Sequence, residues 1–259
     1  MIRLKSASQI EKIRQAGKIL RAAGLEATKA ARVGISTYEL NKIIEDYIIS
    51  QQATPTFKNY GATDHRKGFP AAICASPRNI LVHGIPSKSR ILKNGDIVSL
   101  DVGTYINGVY GDTAATFVVG KCSDEEKKLV DTTEKCLYEA IKFAKAGNNI
   151  YDISYAVQSL AESNGFSVVR DYTGHGIGRN LHEEPYVLNY VPSLKLRRFG
   201  PKLKKGYVFA IEPMLNLGTY KTQVLPDEWT VITKDKKKSA HFEHTVVITE
   251  NEPIVLTKV

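Results

Sequence analysis

Apolar residues recur at helical spacing in several stretches of this 259-residue chain, and each of these stretches has a marked start. Ser8-Gln-Ile-Glu11, Ser36-Thr-Tyr-Glu39 and Ser123-Asp-Glu-Glu126 carry serine followed three residues later by glutamate, the spacing of a capping box. The pattern predicts helices opening at these points. Gly34 and Gly147 fall where one helix should end before the next begins. From Ile97 to Val119 the period changes to two, in a run rich in Val, Ile, Thr and Tyr. Asn107-Gly108 in the middle of that run predicts a two-residue hairpin. "YVFAIEPML" and "FEHTVVIT" fill the strand roles in the second half. The expected class is α+β, with helices packed on one side of an antiparallel sheet.

The pattern is written twice. Lys93–Asp101 can be laid on Lys204–Glu212 at an offset of 111 residues. "GISTYELNKIIEDYIIS", from Gly34, echoes "GNNIYDISYAVQSLAES", from Gly147, at an offset of 113. "DTAATFVV" from Asp112 echoes "EHTVVIT" from Glu243, and the triplet His-Gly-Ile occurs at His83 and again at His175. Four echoes in one order predict a duplicated, pseudo-twofold domain over 1–259, with halves of about 1–120 and 121–259.

Composition narrows the setting. Hydrophobic residues at 42% and charged residues at 24% are ordinary for a globular chain long enough to build its own core. The three cysteines have no paired spacing, which argues against a disulfide framework and for a reducing, cytoplasmic compartment. No run suits a signal peptide or a membrane span, and nothing suggests an interface, so a monomer is expected. Part of the net charge of +9 lies in Lys195–Lys205 and Lys234–Lys238. These are either solvated loops or contacts to a polyanion such as RNA.

The hairpin's arithmetic points to the chemistry. With Asn107-Gly108 as the turn, Asp101 opposes Ala114, so Asp101 and Asp112 become diagonal neighbours on one face. Aspartate is disfavoured in strands, and two on one face of an apolar stretch need a positive partner. Through the duplication, Glu212 repeats Asp101 and Glu243 repeats Asp112. Four carboxylates meeting between the halves would repel one another unless neutralised. With an imidazole they form a natural shell for two divalent ions about 3.5–4 Å apart. His83 and His175 hold equivalent places, so one is expected to ligate metal and the other to contact substrate. His182-Glu-Glu-Pro-Tyr186 imitates the zinc-protease motif H-E-x-x-H, but Tyr186 replaces the second histidine and Pro185 interrupts the helix. His65, His241 and His244 are expected on the surface or behind the site. No nucleophile elbow, phosphate loop or dinucleotide fingerprint is present.

Taken together, "LVHGIP", "SLDVG", "GDTAATF", "GHGIGRNLHEEP", "AIEPM" and "HFEHTVVIT" resemble the type I methionine aminopeptidases along essentially the whole chain. The resemblance implies the pita-bread fold and the removal of N-terminal methionine from nascent polypeptides when the second residue is small. It implies Asp101, Asp112, His175, Glu212 and Glu243 as ligands of two divalent ions (Mn, Fe, Co or Zn). Glu212 is then the general base and the substrate's free α-amine binds one metal. His83 and His182 become the substrate-facing imidazoles, and Phe69, Cys74 and Trp229 line the methionine pocket. Arg66, Lys67 and Leu181 depart from the family's usual residues near that pocket. Two rivals share the resemblance: a proline-directed aminopeptidase, which carries an additional N-terminal domain, and an inactive relative that docks on ribosomes, which should lack ligands. Nascent-chain N-termini are the implied partners, with ribosome contact through the basic loops.

Overall fold

Reciprocal side-chain caps start all four α-helices among residues 2–258, which the computed structural model describes. In α1 (Ala7–Ala30) the cap is Ser6 with Gln9, two residues before the expected Ser8–Glu11 box. Glutamine three residues after serine closes the box as glutamate would, and Glu11 pairs instead with Arg14 at 2.6 Å. Ser36 with Glu39 caps α2 (Thr37–Ser50), as expected. The strands β1 (Thr54–Pro55), β2 (Ile73–Pro77) and β3 (Ile80–Val82) lead to the hairpin of β4 (Asp96–Ile106) and β5 (Val109–Val119). Ser123 with Glu126 then caps α3 (Asp124–Lys142), and Asn149 with Asp152 caps α4 (Ile150–Ser163). Gly34 and Gly147 precede α2 and α4 at φ +92° and +88°, a backbone region that glycine enters without steric cost.

Beyond α4 come β6 (Ser167–Val168), β7 (Gly174–Gly176), β8 (Glu183–Val187) and a 3-10 turn at Leu194–Phe199. The remaining strands are β9 (Val208–Ile211), β10 (Met214–Asn216), β11 (Thr222–Val224), β12 (Val231–Thr233), β13 (Ser239–His241), β14 (Glu243–Val247) and β15 (Ile254–Val255). The main sheet is antiparallel and runs β1-β4-β5-β14-β9-β7-β8, with β2 also on β4 and β15 also on β14.

Asn107-Gly108 sets the hairpin register, so that Ile106 pairs with Val109, Asp101 with Ala114 and Gly103 with Asp112. Alternate residues then divide between two faces. Leu100 and Val102 pack with Leu20, Ala23, Leu40 and Ile44 of the first two helices, while Asp101 turns the other way. On β5 the helix-side positions include Gly111, which faces Ala16 and Leu20 of α1. The second helix pair buries Leu129, Leu137, Ile153 and Val157 against Phe209, Ile211 and Val246 of the sheet. Helices therefore cover one face, and the acid-bearing face meets loops and two three-stranded sheets, β13-β10-β6 and β11-β12-β3.

Helix α1 also packs close to the backbone near the C-terminus. A methyl group at Gly17 would overlap the Leu256 carbonyl, whereas one at Gly24, in the same helix, would meet nothing within 4 Å. Alanine normally stabilises a helix interior over glycine by about 0.5–1 kcal/mol. We expect Gly24→Ala to raise the melting temperature by about 2–4 °C and Gly17→Ala to lower it. Thermal melts of the two variants check this; a rise in both would contradict the packing described.

Candidate active site

Five adjacent strands each carry one chemically competent side chain to the open face. In sheet order these are Asp101 on β4, Asp112 on β5, Glu243 on β14, Glu212 directly after β9, and His175 on β7. The register makes them meet. Glu243 pairs with Ala114, two residues from Asp112, and His175 pairs with Ala210, two residues from Glu212. Threonines lock the junction of β5 and β14: the Thr113 hydroxyl donates to the Glu243 carbonyl (2.8 Å), and the Thr245 hydroxyl donates to the Asp112 carbonyl (2.7 Å).

The ten residues that the resemblance assigns to the site all line one cavity of about 270 Å³. Its polar end holds the five residues just named. His175 Nε2 lies 3.5 Å from Glu212 Oε1 and 3.9 Å from Asp112 Oδ2. Its apolar end holds Phe69, Cys74 and Trp229, with Phe69 and Trp229 edge to face at 5.5 Å. Cys74 on β2 pairs with Asp101, and this register joins the two ends. His83 follows β3 with its ring edge-on to Tyr172 at 5.6 Å. His182 stands edge-on to His175 at 4.3 Å, and its Nδ1 is 2.5 Å from the Tyr60 hydroxyl. Beside it, the Glu183 carboxylate accepts from the Arg179 and Asn180 backbone amides and from buried Lys5 at 2.7 Å, pinning the turn that carries His182. Residues Glu183–Val187 form a strand, so the H-E-x-x-H helix is absent there, as Pro185 implies.

Sequence reasoning missed two neighbours. His241 belongs neither on the surface nor behind the site: it is buried, lines the cavity, and places Nε2 3.6 Å from Glu212 Oε2. It precedes Glu243 by two residues, the interval that puts side chains on one face of an extended chain, and this was the available signal. Tyr60 had no such signal, because its loop reaches His182 only through the tertiary fold. His65 is exposed as expected. His244 lies on the opposite face of the sheet, bonded to Thr257 and near Tyr138.

The electrostatics set the chemistry. Burial pushes the carboxyls of Asp112, Glu212 and Glu243 well above the usual carboxylate range and brings Asp101 to about 7. Neighbouring acids raise Asp112 and Glu243 further. Burial depresses the imidazoles, His83 to about 4 and His175 to about 3, so both are neutral at pH 7. The short contacts of His175 with acids are therefore not ion pairs. Neutral imidazoles cannot offset four acids, and a divalent cation can, because it favours the ionised carboxylates and the neutral imidazole together. Asp112, His175 and Glu243 present ligand atoms within 4.8 Å of one another. Asp101 Oδ1, Glu243 Oε1 and His241 Nε2 are buried without a hydrogen-bond partner. The donor set fits a divalent metal.

The antiparallel sheet, its one-sided helices and the acid-lined cavity define a metal-dependent peptidase of the pita-bread fold. The sequence profile of metallopeptidase family M24 matches residues 11–250, and the chain belongs to that family. Several relatives that it matches along their full length are methionine aminopeptidases. It is 47% identical to methionine aminopeptidase 1 of Bacillus subtilis, with all of both chains covered. It is 42% identical to the Escherichia coli K12 methionine aminopeptidase, covering 99% of this chain and 94% of that one. The crystal structure of the Thermotoga maritima methionine aminopeptidase superposes over all of both chains with a TM-score of 0.94 at 42% identity. A prolidase from Pyrococcus furiosus shares the fold at 22% identity and a TM-score of 0.77, with 65% of that chain covered.

Buried acids that a cation stabilises make folding metal-dependent. Manganese at about 100 times its dissociation constant adds about 2.7 kcal/mol. The melting temperature of chelator-treated protein should therefore rise by about 5–10 °C. Asp112→Asn/Glu243→Gln should show no such rise. Differential scanning fluorimetry reads both, and an equal rise in the double variant would place the cation elsewhere.

Proposed function

We propose that the chain removes the N-terminal methionine from new polypeptides whose second residue is small. Asp101, Asp112, His175, Glu212 and Glu243 would hold two divalent ions, drawn from manganese, iron, cobalt and zinc. The observation that carries this reading is the single cavity with five donor side chains from five neighbouring strands at one end and an apolar pocket at the other. Bound there, divalent ions lower the pKa of water and polarise a carbonyl group.

The chain's own residues do the rest. Phe69, Cys74 and Trp229 receive the methionine side chain, and the carboxylate-lined end attracts the free α-amine. An internal peptide bond offers no such amine, which restricts the reaction to chain ends. Glu212 takes the proton from the attacking water and is the general base. The reaction uses the His182 tautomer with its proton on Nε2, in which the Tyr60 hydroxyl, 2.5 Å from Nδ1, is the donor of that contact. That tautomer donates to the carbonyl oxygen as negative charge develops on it. Neutral His83 hydrogen-bonds near the scissile nitrogen and relays a proton to the leaving amine.

The same reading places the chain in the cytoplasm as a monomer. Its three cysteines are free thiols, and no helix among the described residues is long and apolar enough to cross a membrane. The basic loops carry the ribosome contact: Lys195, Arg198, Lys234, Lys236 and Lys237 are exposed, with Phe199 80% exposed beside the first two. Salt-sensitive co-sedimentation with ribosomes, weakened in Lys234→Glu/Lys236→Glu, is the expected result; binding unchanged by those charges would remove this contact.

Peptide assays test the reaction. The manganese-loaded protein should release methionine from Met-Ala-Ser and leave Met-Lys-Ser and X-Pro peptides largely intact. Asp112→Ala and Glu243→Ala should each lower kcat/KM by at least about 100-fold, about 2.7 kcal/mol of transition-state stabilisation, with circular dichroism unchanged. Preferential cleavage of X-Pro would favour the proline-directed rival, and parental rates in both variants would refute the ligand assignment.

A further inference from the structure

Residues 59–69 form a small hairpin at the apolar end of the cavity. Its stem is closed by Asn59 N to Phe69 O (2.8 Å) and Phe69 N to Tyr60 O (2.9 Å), and its tip by Thr63 N to Arg66 O (2.9 Å). The tip swings a guanidinium over the indole of Trp229, with the Arg66 carbon 4.1 Å from the ring centroid. Arg66 Nη2 also donates to the Glu228 carbonyl at 2.9 Å, so it grips the backbone next to the ring as well as the ring itself. Phe69, from the same hairpin, meets that indole edge to face, and Gly61 abuts its rim. On its own loop, Trp229 is anchored by Asp227, whose Oδ1 accepts from the Trp229 and Thr230 amides at 3.0 and 2.7 Å. One hairpin thus holds a half-buried cavity wall from outside through Arg66 and from inside through Phe69.

We infer that Arg66 is a positioning residue that clamps Trp229 and so sets the width of the pocket for the substrate's first side chain, selecting a long unbranched apolar residue over a branched one. This rests on the reading of the apolar end as the methionine pocket. Arg66 never touches the substrate. It acts through the indole, which without the clamp is free to swing toward solvent. Arginine suits the task because its planar fork stacks on the ring and bonds a carbonyl at the same time, whereas the lysine ammonium is a compact point charge. A cation–π contact at an exposed site is worth about two- to fivefold in an equilibrium constant, and that is the size of effect expected.

Trp229 is the one tryptophan in the chain, so its fluorescence reports this wall directly. The experiment compares the parent with Arg66→Ala, Arg66→Gln and Arg66→Lys. Lys67→Ala, an exposed neighbour on the hairpin, is the control. Acrylamide quenching is measured on the manganese-loaded protein, and kcat and KM are measured for Met-Ala-Ser and Leu-Ala-Ser. Arg66→Ala and Arg66→Gln should raise the quenching constant. They should also raise KM for Met-Ala-Ser about two- to fivefold at unchanged kcat, and narrow the preference for methionine over leucine. Arg66→Lys should fall between these variants and the parent, and Lys67→Ala should match the parent. Parental quenching in Arg66→Ala, or altered quenching with parental KM and selectivity, overturns the inference, as does a fall in kcat alone. A parent that cleaves neither peptide overturns the functional reading instead, while the quenching series still decides whether Arg66 holds the ring.

Discussion

Four carboxyl groups buried in one cleft are the constraint around which this molecule is arranged. Each loses hydration, and Asp101, Asp112 and Glu243 are raised further by neighbouring acids, so each is driven toward its protonated form. Bringing them together costs free energy that the rest of the fold must offset. It does so with backbone pairing across five neighbouring strands and with separate helix-covered apolar clusters on the far side. That cost is useful: a divalent cation offsets it by favouring the ionised carboxylates, which a water molecule alone does not.

The division of the sheet into two faces gives each residue its role. Asp112 and Glu243 face the cavity, while their successors Thr113 and His244 face α1 and α3. A slip of one residue in the pairing of β5 with β14 would exchange these sets, placing acids under the helices. The cross-strand threonine bonds guard against that slip, since the Thr113 and Thr245 hydroxyls bond backbone carbonyls of the opposite strand only in this register. The apolar end of the cavity rests partly on a second support: Cys74 comes from β2, while Phe69 and Trp229 come from two loops, 57–69 and 227–230, tied to each other by Arg66 and Phe69.

Much of this is legible in the sequence. The hairpin register at Asp101 and Ala114 followed from Asn107-Gly108, because a two-residue turn leaves one pairing open to the strands it joins. Caps at Ser36 and Ser123 were readable because capping is a local hydrogen-bond exchange. The start of α1 was misplaced by two residues, since Ser6 and Gln9 satisfy the same exchange as well as Ser8 and Glu11 would. His241 stands two residues before Glu243, but only the folded chain shows that it enters the cleft. Tyr60 left no trace in the pattern at all: its partner His182 is 122 residues away on another loop.

The sequence by itself determined most helix starts, the β4–β5 hairpin and the alignment of Asp101 with Asp112 on one face, because period, capping and turn chemistry act over a few residues. It also suggested, through its repeats, that the acids belong together. Only the tertiary structure decided that β14 inserts between β5 and β9, that His241 enters the cleft, and that Arg66 reaches Trp229. Those outcomes depend on which apolar faces cover one another across more than a hundred residues of chain, and no local pattern encodes that choice.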